Sequence, residues 1–198
     1  MASQIEIINR ALVLLGADRI SSLTDGTIES ESASQIYTGV VEDLISRYRW
    51  RFAHVQAQLP RLLATPDARW TAAYQLPSDL KILETIIVND EPIEYDRLED
   101  KVVCNAMDTD EVIAEYVIQN DETKWPGYFV SLVVYELASL LSTPVGDRED
   151  LADRFEKRSL RQFGLAKNLD AQGVTTKKIK TDRFRKVRRG YLTGSANG

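Results

Sequence analysis

Residues that carry chemistry are scarce in this sequence. A single cysteine, Cys104, means that no disulfide can form within the chain and that no oxidising compartment is implied. A single histidine, His54, cannot by itself make a His metal cluster or a Cys–His pair. No glycine loop of the GxGxxG or Walker type occurs. No uninterrupted apolar run approaches the ~20 residues that a bilayer crossing needs. The opening Met-Ala-Ser-Gln-Ile-Glu has neither the basic nor the apolar stretch of a secretory leader. These absences argue against an enzyme, leave no metal or cofactor to expect, and point to a reducing cytoplasm with no membrane partner.

What is present is an ordinary globular composition, 43% hydrophobic and 28% charged, with an unusual distribution of charge. Val174 to Gly198 holds eight bases against one acid, Asp182, a net of +7. Met1 to Gly173 holds 17 bases and 29 acids, a net of −12. Asymmetry of this kind marks an interaction arm. The arm carries Lys177, Lys178, Lys180, Arg183, Arg185, Lys186, Arg188 and Arg189, with Phe184, Val187, Tyr191 and Leu192 scattered among them. Its apolar residues follow no period, so it should be extended until it meets a partner.

Periodicity divides the rest. Ser3 and Glu6 have the spacing of a capping box, and Ile5, Ile8, Leu12 and Leu15 then form one helical face closed by Gly16. A second helix is expected from Glu29 to Tyr48, on the stripe of Ala33, Ile36, Tyr37, Val40, Leu44 and Ile45. Between residues 82 and 118 the texture changes to β-branched runs separated by polar turns, which predicts a four-stranded antiparallel meander. Pro126 opens a third helix, apolar nearly all round from Tyr128 to Leu141 and ended by Pro144 and Gly146. Asp147 is the expected N-cap of a fourth, whose inner face is Leu151, Phe155, Phe163, Ala166 and Leu169. The expectation is α+β: a four-helix bundle domain from residues 1–50 and 126–173, an inserted antiparallel β lobe at 51–125, and the basic extended arm at 174–198.

Three local patterns admit a functional reading beside a plain one. Asp108, Asp110 and Glu111 lack the glycine and glutamate spacing of an EF-hand, so a hairpin turn is expected. Arg47-Tyr48-Arg49-Trp50-Arg51-Phe52 alternates base and aromatic, as single-strand stacking platforms do. The plain reading is a helix end whose aromatics turn inward and whose arginines face water. The cationic tail suits phosphate, yet the acidic body repels DNA at low salt.

The order of several short motifs adds a resemblance. Asn9-Arg10-Ala11-Leu12-Val13-Leu14-Leu15-Gly16-Ala17 is followed by Trp50-Arg51-Phe52-Ala53, and then by Trp70-Thr71-Ala72-Ala73-Tyr74-Gln75-Leu76-Pro77-Ser78-Asp79. A Tyr135-Glu136-Leu137-Ala138 helix and a long final helix complete the series. In this order, from Ser3 to Gly173, the chain resembles the tail tubular protein A family of short-tailed bacteriophages, the head-to-tail adaptors. Leu15, Gly16, Trp50, Phe52, Trp70, Tyr74, Leu76, Pro77 and Asp79 carry the pattern. The resemblance implies a virion protein of the head–tail junction, assembled in the bacterial cytoplasm. It implies a homo-oligomeric ring, commonly of twelve copies, that joins the portal protein to the tail tube or nozzle and lets DNA pass through its lumen. The arm would then bind portal. A connector or head-completion protein of a long-tailed phage, and a nucleic-acid-binding protein using the tail, remain the alternatives.

Overall fold

The computed structural model describes residues 2–64, 66, 69–146 and 148–173. The expected arm, from Lys177 through Leu192, lies outside the described residues, as does Asp147.

Helix α1 runs Gln4–Leu15. The Ser3 side chain accepts the Glu6 N–H, but the Glu6 carboxylate pairs with Arg10 one turn on instead of reaching back. Only half of the expected capping box therefore forms. Gly16 takes the left-handed C-cap, φ 73°, and its N–H meets the carbonyls of the last turn. Helix α2 runs Ile28–Ser46 and has the complete reciprocal box, between Thr27 and Ser30. In the connection, the Asn9 amide brackets Ile20 with two 2.8 Å bonds to its backbone.

Helix α3, Gly127–Gly146, packs against α1, α2 and α4 (Glu149–Gln172). Its most apolar stretch of 18 residues has a mean hydropathy of 1.5, which is apolar enough for a bilayer span and which counting uninterrupted runs does not register. Here its apolar face is spent on other helices: Phe129, Leu132, Val133, Leu137 and Leu141 are wholly buried. Pro144 lies inside the last turn and does not end the helix. In α4, Leu169 is 48% exposed, against expectation, while Phe155, Ser159, Ala166 and Asp170 are buried. The inner stripe of α4 finishes on polar residues because buried partners await them: the Ser159 hydroxyl donates to Glu136, and Asp170 takes two donors described below. The N-cap position of α4 is Arg148, with no side-chain cap.

Among the described residues, seven strands lie between α2 and α3. They are β1 (His54–Gln58), β2 (Ala72–Gln75), β3 (Leu80–Val88), β4 (Glu91–Ile93), β5 (Tyr95–Leu98), β6 (Lys101–Cys104) and β7 (Val112–Ile118). The single meander expected from sequence is not what forms. One antiparallel sheet has the order β1-β7-β3-β4, and a second has β2-β6-β5. The chain changes sheets across one residue, Glu94, between β4 and β5. Strand β7 then bypasses β6 and runs between β1 and β3. Pairing on both edges satisfies both rows of backbone groups on β7, which a place at a meander edge would leave open.

Buried side chains form two clusters. Ile7, Ile8, Leu12, Leu44, Trp50 and Phe129 belong to the one among the helices. Tyr74, Ile86, Val102, Cys104, Val112 and Tyr116 belong to the one between the sheets. Among the described residues the fold is α+β, with four α-helices and two antiparallel sheets.

Candidate functional site

The junction between helices and strands is where the alternating Arg–aromatic segment lies. After α2 the chain makes a short 3-10 turn at Arg51–Ala53 and enters β1 directly. The three aromatics turn inward. Trp50 is fully buried and donates its indole N–H to the Leu44 carbonyl at 2.8 Å. It meets Tyr48 and Phe129 edge-on, each with ring centroids 5.0 Å away, and Phe163 at 5.9 Å. Phe52 and Trp125 also pack on Phe129, at 4.9 and 5.0 Å. Such pairs each add about 0.5–1.5 kcal/mol beyond their buried area. Arg47, Arg49 and Arg51 face outward. With Tyr48, Ile82 and Glu84 they line a shallow cleft of about 530 Å³. The stacking platform does not form, because its rings are spent in the core.

One buried carboxylate holds this junction together. Asp170, 3% exposed near the end of α4, accepts the Arg51 backbone N–H at 2.8 Å and the Tyr128 hydroxyl at 2.7 Å. Burial, and then the Asp170 acceptor, push the Tyr128 phenol well above its ordinary range. On the other side, Asn120 donates to the Phe52 carbonyl at 2.8 Å and accepts the Trp125 indole at 3.0 Å. Tyr37 reaches from α2 to Glu122 at 3.1 Å. Its phenol is raised by burial first and by that carboxylate second. Asp170 was not picked out from sequence, although a carboxylate in step with Phe155 and Ala166 was visible there. A charge on an apolar stripe is the signal of a buried partner.

The pattern residues do not converge. Trp50 and Phe52 are at the junction. Leu15 and Gly16 line a separate notch against Ser142 and Gly146 of α3. Trp70, Tyr74, Leu76, Pro77 and Asp79 belong to the strand region. There, Trp70 donates to Asp96 at 2.9 Å and carries the Arg69 guanidinium over its ring at 5.5 Å. Tyr74 is buried beneath Arg61, whose guanidinium carbon lies 5.9 Å from the ring centre. The Leu76 N–H donates to the Asp100 carbonyl, and the Pro77 carbonyl accepts the Leu80 N–H. Burial and then Asp79 raise the Tyr116 phenol.

The remaining candidates take their plain roles. The Asp110 carboxylate accepts the Met107 N–H at 2.8 Å and the Asn89 amide at 3.2 Å, and Asp108 pairs with Arg61 at 2.7 Å. That is a hydrogen-bonded turn. His54 Nε2 lies 3.0 Å from Glu84 without the alignment of a hydrogen bond. Cys104 is buried, and burial raises its thiol, the reverse of what a reactive thiolate needs. Among the described residues no group of three or more His, Cys, Asp or Glu is placed to hold a metal ion.

The surface offers broader features. A groove of about 700 Å³ runs between α1 and α3, lined by Ile5, Val13, Leu14, Val134 and Tyr135 with Arg10 and Arg19 at its margin. Leu160, Leu165 and Leu169 of α4 are exposed. Compared with known proteins, the chain matches no family model and no curated protein.

Proposed function

We propose that this protein is a structural component of a virion, a head-to-tail adaptor whose copies form a ring between portal and tail. In this reading α1–α4 are a four-helix bundle that builds the ring wall, and β1–β7 are an inserted lobe that reaches a neighbour or the tail component. The segment 174–198 is the arm that grips portal. The observation that carries the reading is the division into a helical core and a sheet core joined at one aromatic junction. Trp50 and Phe52 are central to that junction, and Trp70, Tyr74 and Leu76 brace the strands. The motifs that suggest the family thus lie where such a two-part adaptor needs rigidity. Exposed leucines on α4 and the apolar groove on α1 and α3 suit repeated contact between copies. A net charge of −12 on residues 1–173 suits a conduit: negative walls repel phosphate, so DNA slides without sticking.

Co-sedimentation of the full chain with purified portal tests the proposal. Binding that resists physiological salt is expected, and absence of binding sinks it. Removal of residues 174–198 is expected to leave the circular dichroism unchanged and abolish co-sedimentation. A truncated chain that binds portal normally removes the arm from the proposal. The nucleic-acid reading requires DNA binding by the full chain that falls steeply with salt and disappears with the tail.

A further inference from the structure

The acidity of the body is not evenly placed. Residues 51–125 hold 15 acids and 7 bases, whereas residues 126–173 hold 7 acids and 6 bases. Within the second group, α4 gathers most of its bases on one face, where the one acid, Asp150, is paired with Arg148. With 3.6 residues per turn, Arg154, Lys157, Arg158 and Arg161 fall within an arc of about 100°. All four are exposed. Among the described residues none of them makes an ion pair. Leu165 and Leu169, 57% and 48% exposed, continue the same flank toward the end of the helix. Four cations within three turns repel one another, and two exposed leucines beside them cost hydration. A flank built this way lacks an acidic partner with an apolar edge.

The far end of the first sheet has that chemistry. The register places His54, Val117 and Ile118 at the end near the helices, and Gln58, Val88 and Val112 at the other. At that distant end Asp90 and Glu91 form the β3–β4 turn, and Asp108, Asp110 and Glu111 lead into β7. The local base Arg61 is already paired with Asp108. Asp90, Glu91 and Glu111 have no basic partner among the described residues. Met107 and Leu63 stand exposed beside them, at 73% and 104%. Helix α4 meets the strand region through the 3-10 turn before β1. From there the acidic end is about 20 Å away along β7, at ~3.4 Å per residue. The two surfaces cannot satisfy each other within one copy.

We propose that the acid-tipped end of the sheet region docks on the α4 flank of a second copy. Asp90, Glu91 and Glu111 face Arg154, Arg158 and Arg161, and Met107 and Leu63 seat against Leu165 and Leu169. Each copy uses two different surfaces, so successive copies run head to tail and close into a ring where the rotation allows. The closed ring rests on the adaptor reading; the pairwise contact does not.

Two full-length variants test the contact, Arg158→Glu/Arg161→Glu and Asp90→Lys/Glu91→Lys. All four positions are exposed, and unchanged circular dichroism checks the fold. Sedimentation velocity is run at about 50 mM and about 500 mM salt. Wild-type chain is expected to self-associate at low salt and to weaken at high salt. Each variant alone should associate at least about tenfold more weakly. An equimolar mixture should regain association, because one variant's intact tip meets the other's intact flank and the two reversed surfaces again carry opposite charge. Variants that associate as wild type does, or a mixture that stays monomeric, overturn the contact. Wild-type chain that stays monomeric yet co-sediments with portal overturns the contact and leaves the adaptor reading standing. Self-association without portal binding does the reverse.

Discussion

Replacing Asp170 with alanine is expected to loosen the joint between helices and strands more than any other change of a single polar side chain described above. The carboxylate accepts two donors, the Arg51 N–H and the Tyr128 hydroxyl, at 2.8 and 2.7 Å. A hydrogen bond to a charged group contributes about 1.5–3 kcal/mol net, and a buried donor left without a partner costs about 1–3 kcal/mol. Both donors are only partly buried, so water recovers some of the loss. The expected destabilisation is about 2–4 kcal/mol. Asp170→Asn keeps an acceptor for Arg51 and can donate to the Tyr128 oxygen if that hydroxyl rotates, so about 1–2 kcal/mol is expected. Tyr128→Phe removes one bond and should cost about 1 kcal/mol. Urea denaturation followed by tryptophan fluorescence measures all three, and the double variant gives the coupling. Hydrogen exchange adds a local readout: the Arg51 amide should exchange faster in Asp170→Ala while the β3 and β7 amides keep their protection. A loss below about 0.5 kcal/mol in Asp170→Ala, within the range of ordinary surface changes, refutes the clasp.

Three further expectations concern separate features. The Tyr37 and Tyr128 phenols are raised by burial and by carboxylates, whereas an unfolded tyrosine ionises near pH ~10. The folded state therefore holds protons that the unfolded state releases. Stability is fully present below about pH 10 and falls above it by up to ~1.4 kcal/mol per pH unit for each tyrosine; Tyr37→Phe should flatten the fall in urea midpoint, and a midpoint unchanged at pH 11 counts against it. Gly16→Ala places a Cβ in open space but at φ 73°, so only the backbone term remains, about 1 kcal/mol and a fall of a few degrees in Tm. Cys104, buried with its thiol raised, should resist an aromatic disulfide reagent until the chain unfolds; fast labelling of the native protein contradicts that.

The helices were legible because their signals are local. The stripe of α1, its glycine cap and the nearly uniform apolarity of α3 each follow from spacing alone. The inward turn of Tyr48, Trp50 and Phe52 followed from Leu44 and Ile45, which continue the same face. Strands β1 and β2 escaped notice for a physical reason. His54-Val55-Gln56-Ala57-Gln58 is half exposed, and Ala72-Ala73 has poor strand propensity; both strands exist because β7 and β6 offer them an edge. Sheet membership was equally hidden. Hydrophobic alternation tells which face of a strand is buried, not which strand lies beside it, and a switch across Glu94 alone leaves no turn signature. The Asp170 clasp joins positions 119 and 42 residues apart, which no window of sequence brings together. The basic tail was the plainest feature of the sequence, and it lies outside the described residues.

The register of β1 and β7 has a consequence for how such a protein can change. His54 and Val117 are direct antiparallel partners, so their Cα atoms lie about 5 Å apart. Everything between them, both sheets included, leaves and rejoins the helical part at practically one point. Residues 54–118 are therefore a cassette with two adjacent cut sites. A short bridge across those sites would keep the order of α1–α4 but uncover the edge of the helical core against which Val117 and Ile82 pack. A different set of strands could likewise be grafted at the same place, so that the reach and charge of the strand region can diverge while the order of the helices stays as it is.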